Sequence, residues 1–195
     1  PQLAVADGAL GFWNALRDVY PETAGQRCWV HKMVNVLDKL PQRLQGRAKA
    51  QLREIMQAPT RQDAISEIGR FVAEFEEKYP RATETLTKDQ DKLLTYLDYP
   101  AAHWVHLRTT NPVESPFATV KQRMKQTRGA GSREAGLAMA FKLLLQAEAK
   151  WRRLNAPHLL PLVQTGMKFP DGETKMLADM PAKLEKSEVL EDTAF

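Results

Sequence analysis

Between Leu3 and Leu40 the apolar residues switch back and forth between strand-like and helical spacing, and no other feature constrains the fold as much. Leu3-Ala4-Val5-Ala6 is a short continuous apolar run of the kind a sheet buries, with Asp7-Gly8 at its C-terminal end. Phe12, Leu16 and Val19 then give helical spacing over residues 10–19, and Pro21 stops that helix. Gln26-Arg27-Cys28-Trp29-Val30-His31 reads as a second strand. From Lys32, Met33, Val36, Leu37 and Leu40 restore the helical period. Strand, helix, strand, helix in so short a stretch is an α/β signal, favouring neighbouring parallel strands joined by a right-handed crossover.

Pro41 opens a different regime. Residues 41–57, 60–79 and 81–97 read as helices, with Leu44, Ala48, Leu52, Ile55 and Met56 as one stripe and Ile65, Ile68, Phe71, Val72 and Phe75 as another. Pro59, Pro80 and Pro100 punctuate them. Residues 41–105 carry ten Lys/Arg against ten Asp/Glu and show no strand signal, so they read as an all-helical insertion. The expected units are 1–40, 41–105, 106–155 and a C-terminal extension, 156–195, whose acidic end is expected to be a flexible tail.

The third unit is basic. Residues 106–153 hold ten Lys/Arg against three Asp/Glu, although the net charge of the whole chain is only +4. Within it, Asn111-Pro112-Val113-Glu114 has the form of a helix start, with Asn as the cap, Pro at the first helical position and Glu placed to close a capping box. Counting on from there, Glu114, Ala118, Lys121, Lys125 and Arg128 share one face, beside an apolar stripe of Phe117, Val120 and Met124. Gly129 and Gly131 end the helix. A carboxylate at the head of a row of cations suits a metal-binding group beside phosphate-binding ones, and it equally suits a capped surface helix. A second helix, 133–154, places Leu137, Ala140, Phe141, Leu144 and Leu145 on one face; Phe141, Trp104 and Trp151 are expected in the core.

A local basic cluster points to a polyanionic partner. The single cysteine excludes a disulfide framework and fits a reducing compartment. No apolar run approaches the ~20 residues needed to span a membrane. The chain begins with Pro1 and enters a strand almost at once, so its natural N-terminus is expected upstream.

Asp7 stands at a strand end, where α/β folds place catalytic groups, although an Asp before Gly8 also suits a plain Asx-turn. Paired with Glu114 it would offer two hard oxygen donors to Mg²⁺ or Mn²⁺. Cys28-x-x-His31 lacks the further ligands a structural zinc needs, since His103, His106 and His158 are not spaced as a partner half-site. On one strand, Cys28 and His31 would point to opposite faces, which argues against a nucleophilic pair.

The run Asp7-x3-Gly11-Phe12-x6-Val19-Tyr20-Pro21-x-Thr23-x2-Gln26-x-Cys28-x2-His31 resembles the signature of the Mutator family of bacterial insertion-sequence transposases. Arg108-Thr-Thr-Asn111-Pro-Val-Glu114-Ser115 resembles that family's second block, continued by Arg128-Gly129 and Lys150-Trp151. The resemblance implies an RNase H-like core with a DDE triad, cut by an all-helical insertion between its second Asp and its Glu. Asp7 would be that Asp and Glu114 that Glu, both catalytic and both metal ligands for two Mg²⁺ (or Mn²⁺) ions. Cys28 and His31 would be a motif near the active site, with Asn111 beside it, while Arg108, Lys121, Lys125 and Arg128 would bind DNA.

The partners implied are the element's inverted repeats and target DNA, with a homo-oligomer assembled on them in the bacterial cytoplasm at the nucleoid. The triad's first Asp and the domain that reads the repeats would lie before Pro1, leaving this piece inactive alone. Two other readings use the same residues. One is a non-catalytic DNA-binding remnant of a transposable element. The other is a helical protein-binding scaffold.

Overall fold

The computed structural model describes residues 1–173. Strand β1 (Leu3–Ala6) lies parallel to β2 (Ala24–Arg27), with Leu3 beside Ala24 and Ala6 beside Arg27, and helix α1 (Leu10–Val19) makes the crossover. The remaining described elements are helical, so the α/β signal resolves into a mostly helical chain with a small parallel sheet.

The second strand lies earlier than residues 26–31. Trp29–Leu37 is helical (α2), and it buries Trp29, Lys32, Met33 and Val36 at helical spacing. That packing overrides the strand-like look of Cys28-Trp29-Val30. β2 itself is Ala-Gly-Gln-Arg, and its buried end is satisfied by polar partners. Gln26 Nε2 donates to the Leu93 carbonyl at 3.0 Å, and its Oε1 accepts from the Tyr96 amide at 2.7 Å. Arg27 Nε donates to Asp89 Oδ2 at 3.0 Å, and the buried Lys32 ammonium donates to Asp89 Oδ1.

Helices α3 (Gln42–Gln57) and α4 (Arg61–Phe75) pack as neighbours, the latter capped by Thr60, whose side chain accepts from the Asp63 amide. The helix expected over 81–97 is broken into α5 (Pro80–Thr87), α6 (Gln90–Leu93) and a 3₁₀ turn, Thr95–Asp98. The break at Asp89, whose backbone is non-helical, is what turns its carboxylate toward Arg27 and Lys32. The main apolar cluster runs from Trp29 and Val36 through Leu52, Ile55 and Phe71 to Leu86, Leu93, Tyr96 and Leu97, all fully buried. It therefore joins α2 to the helical block.

A 3₁₀ turn (Ala101–His103) and α7 (Trp104–Leu107) lead to α8 (Asn111–Gln126) and α9 (Arg133–Glu148). The two long helices pack chiefly on each other. The turn between them uses left-handed backbone at Arg128 (φ 53°) and Gly129 (φ 99°), and the Gly129 amide closes onto the Met124 carbonyl at 2.8 Å. α9 ends before residue 154 and buries none of its residues. Phe141 and Trp151 are thus not core residues; they are 59% and 58% exposed, and Leu137 on the same helix is 62% exposed. Trp104 is half-buried, with its ring edge-on to Tyr96 at 5.4 Å. Helix α10 (Leu160–Gln164) sits between 3₁₀ turns at Pro157–Leu159 and Pro170–Gly172. Residues 174–195 of the expected tail lie outside the described residues. Among the described residues, no helix is long and apolar enough to cross a membrane.

Candidate metal and nucleic-acid site

Asp7 follows β1 directly. Its Oδ1 accepts from the Ala9 amide at 2.9 Å, the Asx-turn that opens α1, and its carbonyl oxygen accepts from Trp13 Nε1 at 2.8 Å. The strand end is held from both sides while the carboxylate stays exposed. On the neighbouring strand, the Cys28 amide donates to the Ala6 carbonyl at 2.8 Å, which sets Cys28 beside Asp7 at the head of α2.

Cys28, fully buried, is the hub that brings the distant α8 to this place. Its Sγ lies 3.2 Å from His31 Nδ1, 3.2 Å from Thr110 Oγ1 and 3.4 Å from the Thr110 amide. One residue on, the Trp29 amide donates to the Arg108 carbonyl at 2.9 Å. Residues 108–110 are thereby clamped onto the start of α2. The expected opposite-face placement of Cys28 and His31 is corrected here, because three residues at a helix start span one turn and share a face.

The helix start also differs from the expected one. Thr110, not Asn111, occupies the position before the helix, without a side-chain cap hydrogen bond, and Asn111 and Pro112 lie in the first turn. The capping box anchored on Asn111 does not form. Instead Thr110 Oγ1 hydrogen-bonds the Glu114 carboxylate, and the Glu114 amide donates to the Thr110 carbonyl at 3.1 Å. Pro112 lacks an amide hydrogen and is tolerated anywhere in the first turn, so the sequence pattern alone does not fix the register.

Glu114 Oε1 lies 3.8 Å from His31 Nε2. His31 is held above its ordinary pKa by its hydrogen bond with Cys28 first, against partial burial, and then by the negative charges of Cys28, Glu114 and Asp7. For Cys28, burial opposes ionisation, but hydrogen bonds from Thr110 and His31 outweigh it and hold the thiol below its ordinary value. Asp7, Cys28, His31, Thr110 and Glu114 are therefore one constellation.

Asp7 and Glu114 are exposed, hard oxygen donors of the kind Mg²⁺ and Mn²⁺ prefer. They fit part of such an ion's shell. Among the described residues, no group of three or more His, Cys, Asp or Glu could hold a metal ion.

Lys121, Lys125 and Arg128 are exposed on α8 and its end, and Asn111 is exposed at its start. Arg108 is placed differently. Its guanidinium stacks 4.7 Å from the Tyr96 ring centre and 5.3 Å from that of Trp104, with a buried Nε that has no hydrogen-bond partner among the described residues. Trp13 and Thr110 carry little signal in the sequence: Trp13 lies in α1 beside the Phe12 stripe, and Thr110 precedes the stronger cap pattern of Asn111-Pro112.

Residues 2–153 match the family described as transposase, Mutator family. The transposase for insertion sequence element IS6120 of Mycolicibacterium smegmatis is 53% identical over 172 residues, covering 88% of this chain and 53% of that protein. The transposase for insertion sequence element IST2 of Acidithiobacillus ferrooxidans is 48% identical over 172 residues, covering 88% and 58%. A more distant relative, the transposase for ISRM5 of Rhizobium meliloti, is 27% identical over 154 residues, covering 79% and 39%. The chain spans about half the length of the first two relatives. On the family match and these identities together, the chain belongs to the Mutator family of transposases.

Proposed function

We propose that this chain is the C-terminal part of the catalytic region of an insertion-sequence transposase, with an RNase H-like core interrupted by the helical block 41–105. The reaction would be cleavage of the phosphodiester at the element's end, followed by attack of the freed 3′-OH on target DNA. One observation carries the reading: the Cys28–Thr110 contact brings the start of a distant helix to the end of β1, so that Glu114 lies 3.8 Å from His31 beside the strand end that carries Asp7.

Asp7 and Glu114 would hold Mg²⁺ or Mn²⁺, which when bound supplies charge stabilisation and activation for phosphoryl transfer. The remaining protein ligand would come from a part of the protein outside this piece, in keeping with relatives more than half as long again. Trp13 and the Ala9 amide keep Asp7 from swinging with its loop. Thr110 restrains Glu114. Lys121, Lys125 and Arg128 would hold DNA phosphates without reading sequence. Holding reacting groups in position is the main protein contribution that such chemistry demands.

The test is Glu114→Gln and Asp7→Asn in the full-length transposase. Each should lower strand cleavage at the inverted-repeat end by about a hundredfold or more, with DNA binding and melting temperature little changed. Undiminished cleavage by either variant would remove that carboxylate from the site and favour the DNA-binding remnant.

A further inference from the structure

We propose that the cleft between α1 and the α5–α6 turn binds the phosphodiester backbone of a DNA strand immediately beside Asp7, through Arg17, Arg27, Lys88 and Lys92. The inference rests on the transposase reading and adds to it the path by which the strand passes the carboxylate. The cleft has a volume of about 310 Å³, and Gly8, the residue after Asp7, forms part of its wall.

Charge is the first argument. The lining carries four cations and one carboxylate, Asp89. That carboxylate is already committed, since it accepts from Arg27 Nε and from the Lys32 ammonium, two side chains 6% and 0% exposed. Two buried cations sharing one anion leave a positive charge uncompensated, a costly arrangement unless an anion comes to it. Lys32 takes further help from the Thr85 carbonyl at 2.6 Å, but a neutral oxygen cancels no charge.

Arg27 is the second. Its Nη1 is buried and has no hydrogen-bond partner among the described residues. The guanidinium lies directly against Gly8: a Cβ there would come within 2.8 Å of Nη2 and 2.9 Å of Nη1. The Asp7–Gly8 turn is therefore shaped around an arginine that lines the cleft and keeps one donor unused. Guanidinium groups suit phosphate oxygens for this reason.

The rim is the third. Arg17 Nη2 donates to Asn14 Oδ1 at 2.5 Å, and Lys92 Nζ sits 5.8 Å from the centre of the Trp13 ring. Both cations are held at the opening, and neither is paired with a carboxylate among the described residues.

The test is binding of a short fluorescent single-stranded oligonucleotide by anisotropy, without divalent metal, over a salt series. Arg17 and Lys92 are exposed, so Arg17→Glu with Lys92→Glu leaves the core alone. The double variant should bind at least about tenfold more weakly and lose roughly 1.4 from the slope of log affinity on log salt, about 0.7 for each phosphate contact removed. Lys49→Glu with Lys78→Glu, an equal change of net charge on α3 and after α4, should bind as the wild type does. Equal losses from the two pairs would reduce the effect to net charge and overturn the proposal, as would no loss from the first. Competition by inorganic phosphate at micromolar levels would overturn the strand in favour of a small anion. Cleavage by Glu114→Gln is scored separately, so failure of the catalytic reading leaves a distinct record from failure of the cleft.

Discussion

Trp13 Nε1 donates to the carbonyl oxygen of Asp7 at 2.8 Å, tying the residue at the end of β1 to the helix that follows it. The indole is itself confined, edge-on to Phe12 at 5.2 Å and against Gly25, where an added Cβ would lie 2.9 Å from the ring. Trp13→Phe keeps most of the ring and removes the donor. It should cost about 1 kcal/mol in urea unfolding and lower strand cleavage by the full-length protein several-fold, without weakening DNA binding. Cleavage at the wild-type level would mean that the hydrogen bond plays no part in placing Asp7.

The Arg27–Asp89–Lys32 cluster makes a contrast between two substitutions. Asp89→Asn leaves two buried cations without an anion and should destabilise by about 3–5 kcal/mol. Lys32→Met removes one of them, keeps the Arg27–Asp89 pair at 3.0 Å, and should be neutral or stabilising. Denaturation midpoints of the two variants settle the order. Equal losses would refute this account of the charge balance.

The histidine titration has a definite sign. His31 sits above its ordinary value of 6.5, so the folded state holds the proton more tightly than the unfolded chain. That contribution to stability is complete below pH 6.5 and is lost as pH rises through the raised pKa. An NMR titration should place the imidazole above 6.5, and Cys28→Ala, which removes the leading cause, should bring it back toward that value. An unchanged pKa in the variant would show that Cys28 is not the cause.

The apolar face of α9 offers a fourth test. Leu137→Ser with Phe141→Ser should change unfolding free energy by no more than about 0.5 kcal/mol at each site, since both side chains are mostly exposed. Phe71→Ala, in the fully buried cluster, should cost about 3–5 kcal/mol. A large loss from the α9 pair would mean that the face is covered in solution.

The sequence was informative where apolar spacing and packing agree. β1, α1, α3 and α4 fall close to their expected ranges because each has a clean period and a proline or cap near its end. β2 was misplaced because a strand of Ala, Gly, Gln and Arg carries no apolar signal; its burial is secured by Leu93, Tyr96 and Asp89, all far away in the chain. Asp7 and Glu114 stand out in local motifs, yet the approach of Glu114 to His31 at the end of β1 depends on the Cys28–Thr110 contact, which links positions that no periodicity connects. The burial expected of Phe141 and Trp151 failed for a related reason, since an apolar stripe states what a helix can bury and not whether a neighbour is there.

The two carboxylates ride on parts of very different firmness. Asp7 directly follows a strand paired to β2, and the helix after β2, α2, is anchored in the buried cluster, whereas α8 buries Pro116 and α9 buries nothing. Few apolar contacts mean a low free energy of local opening, so amide hydrogens of α8 and α9 should exchange long before those of α3 and α4. The placement of Glu114 against Asp7 then rests on the clamp at residues 108–110, with little packing of α8 behind it. Anything that grips the α8–α9 arm therefore gains leverage over that placement, so that a bound duplex or a neighbouring segment would act as a splint for Glu114 against Asp7.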